Sequence, residues 1–255
     1  MKEKLKNREK LFGAWTSVPH PSVAEMFGLM MKPDFIGIDI EHTCVGLEGV
    51  LQIMTAGQAT GTCMIPRVAS HEGIVMRRLL DAGADGIMVP MVTSRKEVDQ
   101  IIQSCKYPPI GKRSFGVSRA QGYGGCYDDY TKSWNERSIL MIQIESIAGV
   151  EAADEILSCE HVDGVMIGPY DISGSLGVPG KLNDPKVLKA CDRVLSACER
   201  HKKSCGTQIV EPTEENVHDA FKAGYTFAVL SSDLFLMWKW SEKMKRLTDH
   251  LRETA

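Results

Sequence analysis

A chain of 255 residues, 43% of them hydrophobic and 25% charged, can bury the core of one large α/β domain or two small ones, and its ordinary charged content argues against disorder. A formal net charge of −3 gives no footing for a general binder of nucleic acid or of anionic membranes. No run approaches the roughly 20 apolar residues of a spanning helix, and the stretch from Met1 to Lys10 is too charged for a secretory signal, so the cytoplasm is the expected location.

Eight apolar, β-branched runs are expected as strands: residues 12–18, 35–41, 62–68, 86–92, 139–145, 164–171, 205–210 and 225–231. Their near-continuous hydrophobicity suits strands buried on both faces. Helical patterns fill most of the gaps. Residues 72–82 place Ile74, Met76, Leu79 and Leu80 on one side and close at Gly83; residues 94–104 gather Val98, Ile101 and Ile102. Residues 184–201 and 214–223 are similarly amphipathic. Two segments break the rhythm. Residues 107–137, rich in glycine and tyrosine, read as a lid or subunit-contact loop. Residues 234–251 read as a helix, either the last of the fold or one that packs on another subunit.

Eight β/α units in one chain of this length give the rhythm of a single (β/α)₈ TIM barrel over residues 1–255; for 234–255, the C-terminal helical segment, packing on a neighbouring subunit is the expectation, with the barrel's own last helix as the alternative. A doubly wound open sheet is the rival, weakened because no G-x-G-x-x-G follows the first strand. The eight cysteines are scattered without a C-x-x-C pair and read as reduced, mostly buried thiols.

In such a barrel the chemistry gathers at the C-terminal ends of the strands. Asp39, Glu41 and His42 follow the second strand, Arg67 ends the third, Pro90 the fourth, Gln143 and Glu145 the fifth, and Gly168, Pro169 and Asp171 the sixth. Glu145 and Asp171 lie about one strand-helix-strand unit apart, so their strands are expected as neighbours with the two carboxylates side by side. Such a pair repels itself unless a hard divalent cation lies between. The alternative is that Glu145 caps a helix and Asp171 ends a turn. Arg67 needs an anion, either a neighbouring glutamate or an anionic substrate group held bidentately. Asp39 could orient His42 as an acid/base dyad, although a lone histidine after a strand is more often structural. The remaining histidines, His71 among them, read as structural. No lysine lies inside a strand, which leaves a Schiff-base route without an obvious nucleophile.

These residues resemble the metal-dependent 2-oxo-acid aldolases of the 4-hydroxy-2-oxoheptanedioate aldolase (HpcH/HpaI) family. The matching pieces run in order: Ile38-Asp-Ile-Glu-His42, Pro66-Arg67-Val68, Leu79-Leu-Asp-Ala-Gly-Ala-Asp-Gly86 and Val89-Pro-Met-Val92, then Tyr107-Pro-Pro-Ile-Gly-Lys-Arg113, Gln143-Ile-Glu145 and Asp163-Gly-Val-Met-Ile-Gly-Pro-Tyr-Asp-Ile-Ser173. The resemblance implies a barrel whose last helix is exchanged in a homo-oligomer, usually a hexamer. It also implies reversible cleavage of a 4-hydroxy-2-oxo acid into pyruvate and an aldehyde through a metal-stabilised pyruvate enolate. The metal would be magnesium or manganese, with cobalt a further candidate, held by Glu145 and Asp171. Arg67, with Gln143 beside the metal and Gly168 and Pro169 against the carboxylate, would bind pyruvate. Asp39 and His42 would form the dyad, and Asp81 would support the site from a neighbouring subunit. The chain departs from the family at Ser114-Phe115-Gly116 and at Thr43-Cys-Val-Gly46, where the aldehyde should bind, so the acceptor stays open. On the same site, oxaloacetate decarboxylation or a CoA-thioester lyase reaction are alternatives, and a non-catalytic oligomeric barrel is a remote one.

Overall fold

Parallel pairing runs around the whole chain in sequence order and returns from the eighth strand to the first, closing a barrel. The computed structural model describes residues 1–254; Ala255, the last residue of the expected C-terminal segment, lies outside the described residues. The strands are β1 (Leu11–Thr16), β2 (Phe35–Asp39), β3 (Cys63–Arg67), β4 (Gly86–Val89), β5 (Ile139–Ile144), β6 (Gly164–Ile167), β7 (Ser204–Ile209) and β8 (Phe227–Leu230). All eight expected runs therefore form strands, each ending one to four residues sooner at its polar or proline-bearing end. The largest difference is at β6. Gly168 and Pro169 stop that strand, proline enters the first turn of a helix, and Asp171 sits in that helix rather than at a strand end.

Helices α1 (Lys2–Lys6), α2 (Pro21–Met26), α3 (Leu47–Ala59), α4 (Gly73–Asp81), α5 (Arg95–Cys105) and α6 (Tyr127–Arg137) surround the first half. The second half carries α7 (Ile147–Glu151), α8 (Ala153–Leu157), α9 (Pro169–Ser175), α10 (Pro185–Arg200), α11 (Glu214–Lys222) and α12 (Asp233–Glu253). Their apolar faces and the outer faces of the strands form one buried layer, built on Ile36, Ile38, Leu79, Leu80, Ile101, Ile142, Val165 and Val194 among others. A second cluster fills the barrel itself with Leu11, Trp15, Phe35, Ile65, Met88, Met141, Met166 and Phe227, and Leu5 of α1 plugs its foot. Phe35 and Phe227 meet edge to face across this interior at 5.9 Å.

Residues 107–137 do not form a lid. Their second half is α6, which buries Tyr130 and Trp134, and the Trp134 indole N–H donates to the Cys105 carbonyl at 2.8 Å. Arg113 lies fully buried among the rings of Tyr107, Tyr130 and Trp134. Lys106, buried as well, spends its ammonium on the Asn135 and Ser138 carbonyls at 3.0 and 3.2 Å. These contacts fix the segment beside the start of β5, the end of the barrel away from the mouth. By contrast α12 covers little: among its described residues only Asp233 is buried, while Leu234, Met237, Trp238, Trp240, Leu247 and Leu251 are exposed. Among the described residues no helix is long and apolar enough to cross a membrane.

Candidate active site

Register alone brings the first pair together. β2 and β3 align Asp39 with Arg67, and the side chains form a bidentate pair, Arg67 Nε to Asp39 Oδ1 at 3.2 Å and Nη2 to Oδ2 at 2.9 Å. Beneath the guanidinium lies the Trp15 ring, 4.9 Å away. That ring needs Gly37 opposite it, because a Cβ there would fall 2.3 Å from the indole. Gly37→Ala should therefore displace Trp15 and with it the bed of Arg67. Overpacking of this kind costs about 1–3 kcal/mol, read as a melting temperature lower by roughly 2–10 °C in calorimetry.

The next strands supply the acids. β5 and β6 pair Ile144 with Ile167, which sets Glu145 beside Gly168. Gln143 and Glu145, two apart, share a side of β5. Arg67 Nη1 donates to Gln143 Oε1 at 3.5 Å, and Gln143 Nε2 donates to Glu145 Oε2 at 3.1 Å. Glu145 Oε1 accepts the Met91 N–H at 2.8 Å. Met91 adopts a left-handed φ of 53° to aim that N–H, a conformation that costs a non-glycine residue about 1–2 kcal/mol. Above Gly168 the two carboxylates converge: a Cβ on this glycine would lie 2.8 Å from Glu145 Oε2 and 3.4 Å from Asp171 Oδ2. Glu145 is buried, whereas Asp171 stands exposed on the rim in the first turn of α9.

Burial and mutual repulsion act together on the acids of the mouth. Burial pushes the Glu145 carboxyl up to about 7; the Met91 N–H opposes this, and the charges of Asp171 and Glu41 add to it. Burial likewise raises Glu41, with Arg67 offsetting part of the effect. Among the described residues Glu41 Oε2 is buried without a hydrogen-bond partner; Arg67 Nη1 is 3.2 Å away but out of line, pairing charge without donating a hydrogen bond.

His42 and Asp81 are placed differently from the rest. The Asp39 carboxylate accepts from the backbone N–H groups of Glu41 and His42 at 3.1 and 3.2 Å, while the His42 ring is exposed with its Nε2 3.5 Å from Glu41 Oε2. Asp39 thus fixes the backbone of His42, not its imidazole. Asp81 ends α4 at the foot of its own barrel, held by Arg113 Nη2 at 2.6 Å, and does not join the mouth formed by its own chain. Sequence reasoning missed Trp15 and Met91. Inward alternation along β1 could have found the first; a left-handed methionine leaves no trace in the sequence.

Among the described residues no group of three or more His, Cys, Asp and Glu side chains is arranged to hold a metal ion. Two carboxylate oxygens converging over a bare glycine nevertheless fit a hard divalent cation, which takes oxygen ligands and keeps positions for waters and substrate. A family model described as HpcH/HpaI aldolase/citrate lyase matches residues 11–239. The chain is similar to the 5-keto-4-deoxy-D-glucarate aldolase of Escherichia coli O6:H1, 30% identical over 243 residues, covering 95% of this chain and 94% of that protein. Among solved structures it resembles an HpcH/HpaI aldolase/citrate lyase family protein from Burkholderia cenocepacia J2315, with a TM-score of 0.90, 26% identity and coverage of 97% and 98% of the two chains. A citrate synthase superposes with a TM-score of 0.87 at 25% identity, covering 99% of this chain and 98% of that one.

Proposed function

The chain belongs to the HpcH/HpaI aldolase/citrate lyase family and is by that membership a carbon–carbon lyase, and from this premise we propose that it reversibly cleaves a 4-hydroxy-2-oxo acid to pyruvate and an aldehyde with the help of a divalent cation. The observation that carries the reading is the convergence of Glu145 Oε2 and Asp171 Oδ2 above Gly168. These two carboxylates would hold the ion, magnesium or manganese, with cobalt a further candidate. When bound, it supplies positive charge to the keto oxygen, where electron density accumulates as the C3–C4 bond breaks.

The chain's own residues do the rest. Arg67, seated on Trp15 and braced by Asp39, presents Nη1 beside Gln143 and Glu41, where it adds positive charge next to the same oxygen. Gln143 orients Glu145 through its Nε2, and Gly168 and Pro169 line the place of the pyruvate carboxylate. The exposed His42 imidazole takes the C4-hydroxyl proton and returns it in the condensation direction. Asp39 sets the backbone that carries His42, and Glu41 Oε2, 3.5 Å from its Nε2, steadies the imidazolium.

The wider setting belongs to the same proposal: one barrel domain whose α12 packs on a neighbouring subunit in a homo-oligomer, a hexamer by family resemblance. The exposed apolar surface of α12 supports this. Asp81 would then serve a neighbour's mouth. Eight free cysteines support a reducing, cytoplasmic setting. A second reading, action on oxaloacetate or a CoA thioester through the same site, draws support from the likeness to a citrate synthase. The test is pyruvate release from a panel of 4-hydroxy-2-oxo acids after thorough chelation, with and without added manganese or magnesium. Metal-restored release is the expected result; undiminished turnover in chelator sinks the proposal, and action on oxaloacetate or thioesters alone selects the second reading.

A further inference from the structure

One peptide group links an exposed histidine to the buried carboxylate of the site. The carbonyl of the Pro90–Met91 peptide accepts from His71 Nε2 at 2.6 Å, and the N–H of the same peptide donates to Glu145 Oε1 at 2.8 Å. A carbonyl only accepts, so His71 presents Nε2 as its protonated, donating nitrogen. The peptide is thus held at both ends, and hydrogen bonds joined in this way polarise one another. The grip lies where the backbone needs it: Met91, with φ at 53°, occupies a region that non-glycine residues keep only when their surroundings over-determine it. His71 comes from the loop after Arg67 and Met91 from the end of β4, so the contact also ties two adjacent rim loops together. Among the described residues, no hydrogen bond or ion pair joins His71 to a residue assigned above to cleavage or substrate binding.

We infer that His71 is a positioning residue for Glu145: by donating to the Pro90 carbonyl it keeps Met91 left-handed and its N–H on Glu145 Oε1, which leaves Oε2 turned toward Asp171 across Gly168. The inference rests on the reading of Glu145 and Asp171 as cation ligands. A partner one step beyond a ligand fixes the ligand's orientation, and its loss typically weakens a metal site about 10–100-fold.

The experiment is a titration of the full chain with manganese(II), following the free ion by electron paramagnetic resonance, for the wild type, His71→Phe and His71→Gln. Circular dichroism melts of all three run alongside. His71→Phe keeps a ring but no donor, and its affinity for manganese should fall about 10-fold with an unchanged melt. His71→Gln retains an N–H donor and should recover most of the loss. The manganese concentration for half-maximal pyruvate release should move in the same order, with kcat at saturating manganese little changed. If His71→Phe also melts early, His71→Ala is titrated in its place. Equal affinity in the wild type and the donor-free variant overturns the inference, as does a glutamine variant as weak as the phenylalanine one. A wild type that binds no manganese overturns the underlying reading instead.

Discussion

Glu145→Gln is expected to abolish manganese-dependent pyruvate release, through a loss of metal affinity of about 100-fold or more. The hydrogen bonds around Glu145 explain why so small a change is not tolerated. Arginine can only donate, so Arg67 fixes Gln143 Oε1 as acceptor and turns Nε2 toward Glu145 Oε2; from the other side Met91 donates to Oε1. Both oxygens must accept, and only the ionised carboxylate does so. An amide at this position would set its NH₂ against one of two donors.

Burial, which outweighs those hydrogen bonds, sets the pH dependence. The Glu145 carboxyl titrates near 4.5 in the unfolded chain and at about 7 in the metal-free fold. Between those values the folded state holds the extra proton, so its stabilising contribution is present below the lower value and lost as pH rises through the upper one, a span of roughly 3 kcal/mol at most. In chelator, the wild type should therefore melt lower at about pH 8 than at about pH 5, and Glu145→Gln should show less of this decline. Added manganese should restore wild-type stability at the higher pH and leave the variant unmoved. Calorimetry checks all of this, and a variant stabilised by manganese as strongly as the wild type would refute the assignment.

Much of this site was legible because parallel strands carry their geometry in their spacing. Glu145 and the turn after the next strand had to be neighbours, and the pairing of Ile144 with Ile167 makes them so. The apolar pattern runs on toward Asp171 while the strand stops at Ile167, yet the acid still reaches the rim because α9 begins there. Pro169 carried that signal, since proline favours a first helical turn and cannot donate within a sheet. The partner of Arg67 could not be read, because whether Asp39 or a glutamate meets it depends on the β2–β3 register. Helix α6 was hidden behind the glycine-rich half of its segment, though Asp128 and Asp129 in its first turn fit a helix start. The roles of Met91 and His71 were out of reach, since they depend on a backbone angle and a carbonyl that no side-chain pattern encodes.

Gly168→Ala should be almost as damaging as loss of the acid it faces, and for a purely spatial reason. Gly168 has φ −102° and ψ 84°, on the negative side where side chains are tolerated, so backbone strain would contribute little. The new methyl would instead stand 2.8 Å from both Cβ and Oε2 of Glu145. Cβ lies next to the β5 backbone, which Gln143 and Ile144 hold in register with β6. Relief of the Cβ contact takes a shift of backbone at Gly168 or Glu145 and relief of the Oε2 contact a rotation of the carboxylate, and with both movements Met91 and Gln143 would lose their acceptor. Manganese affinity should fall about 10–100-fold, with a stability loss of no more than about 1–3 kcal/mol. Gly174→Ala provides the control within the same helix: its added methyl meets nothing within 4 Å, and binding should stay at the wild-type level. Parallel manganese titrations and melts of the two variants decide the matter. If Gly168→Ala binds the ion normally, the convergence over this glycine is not where a cation sits.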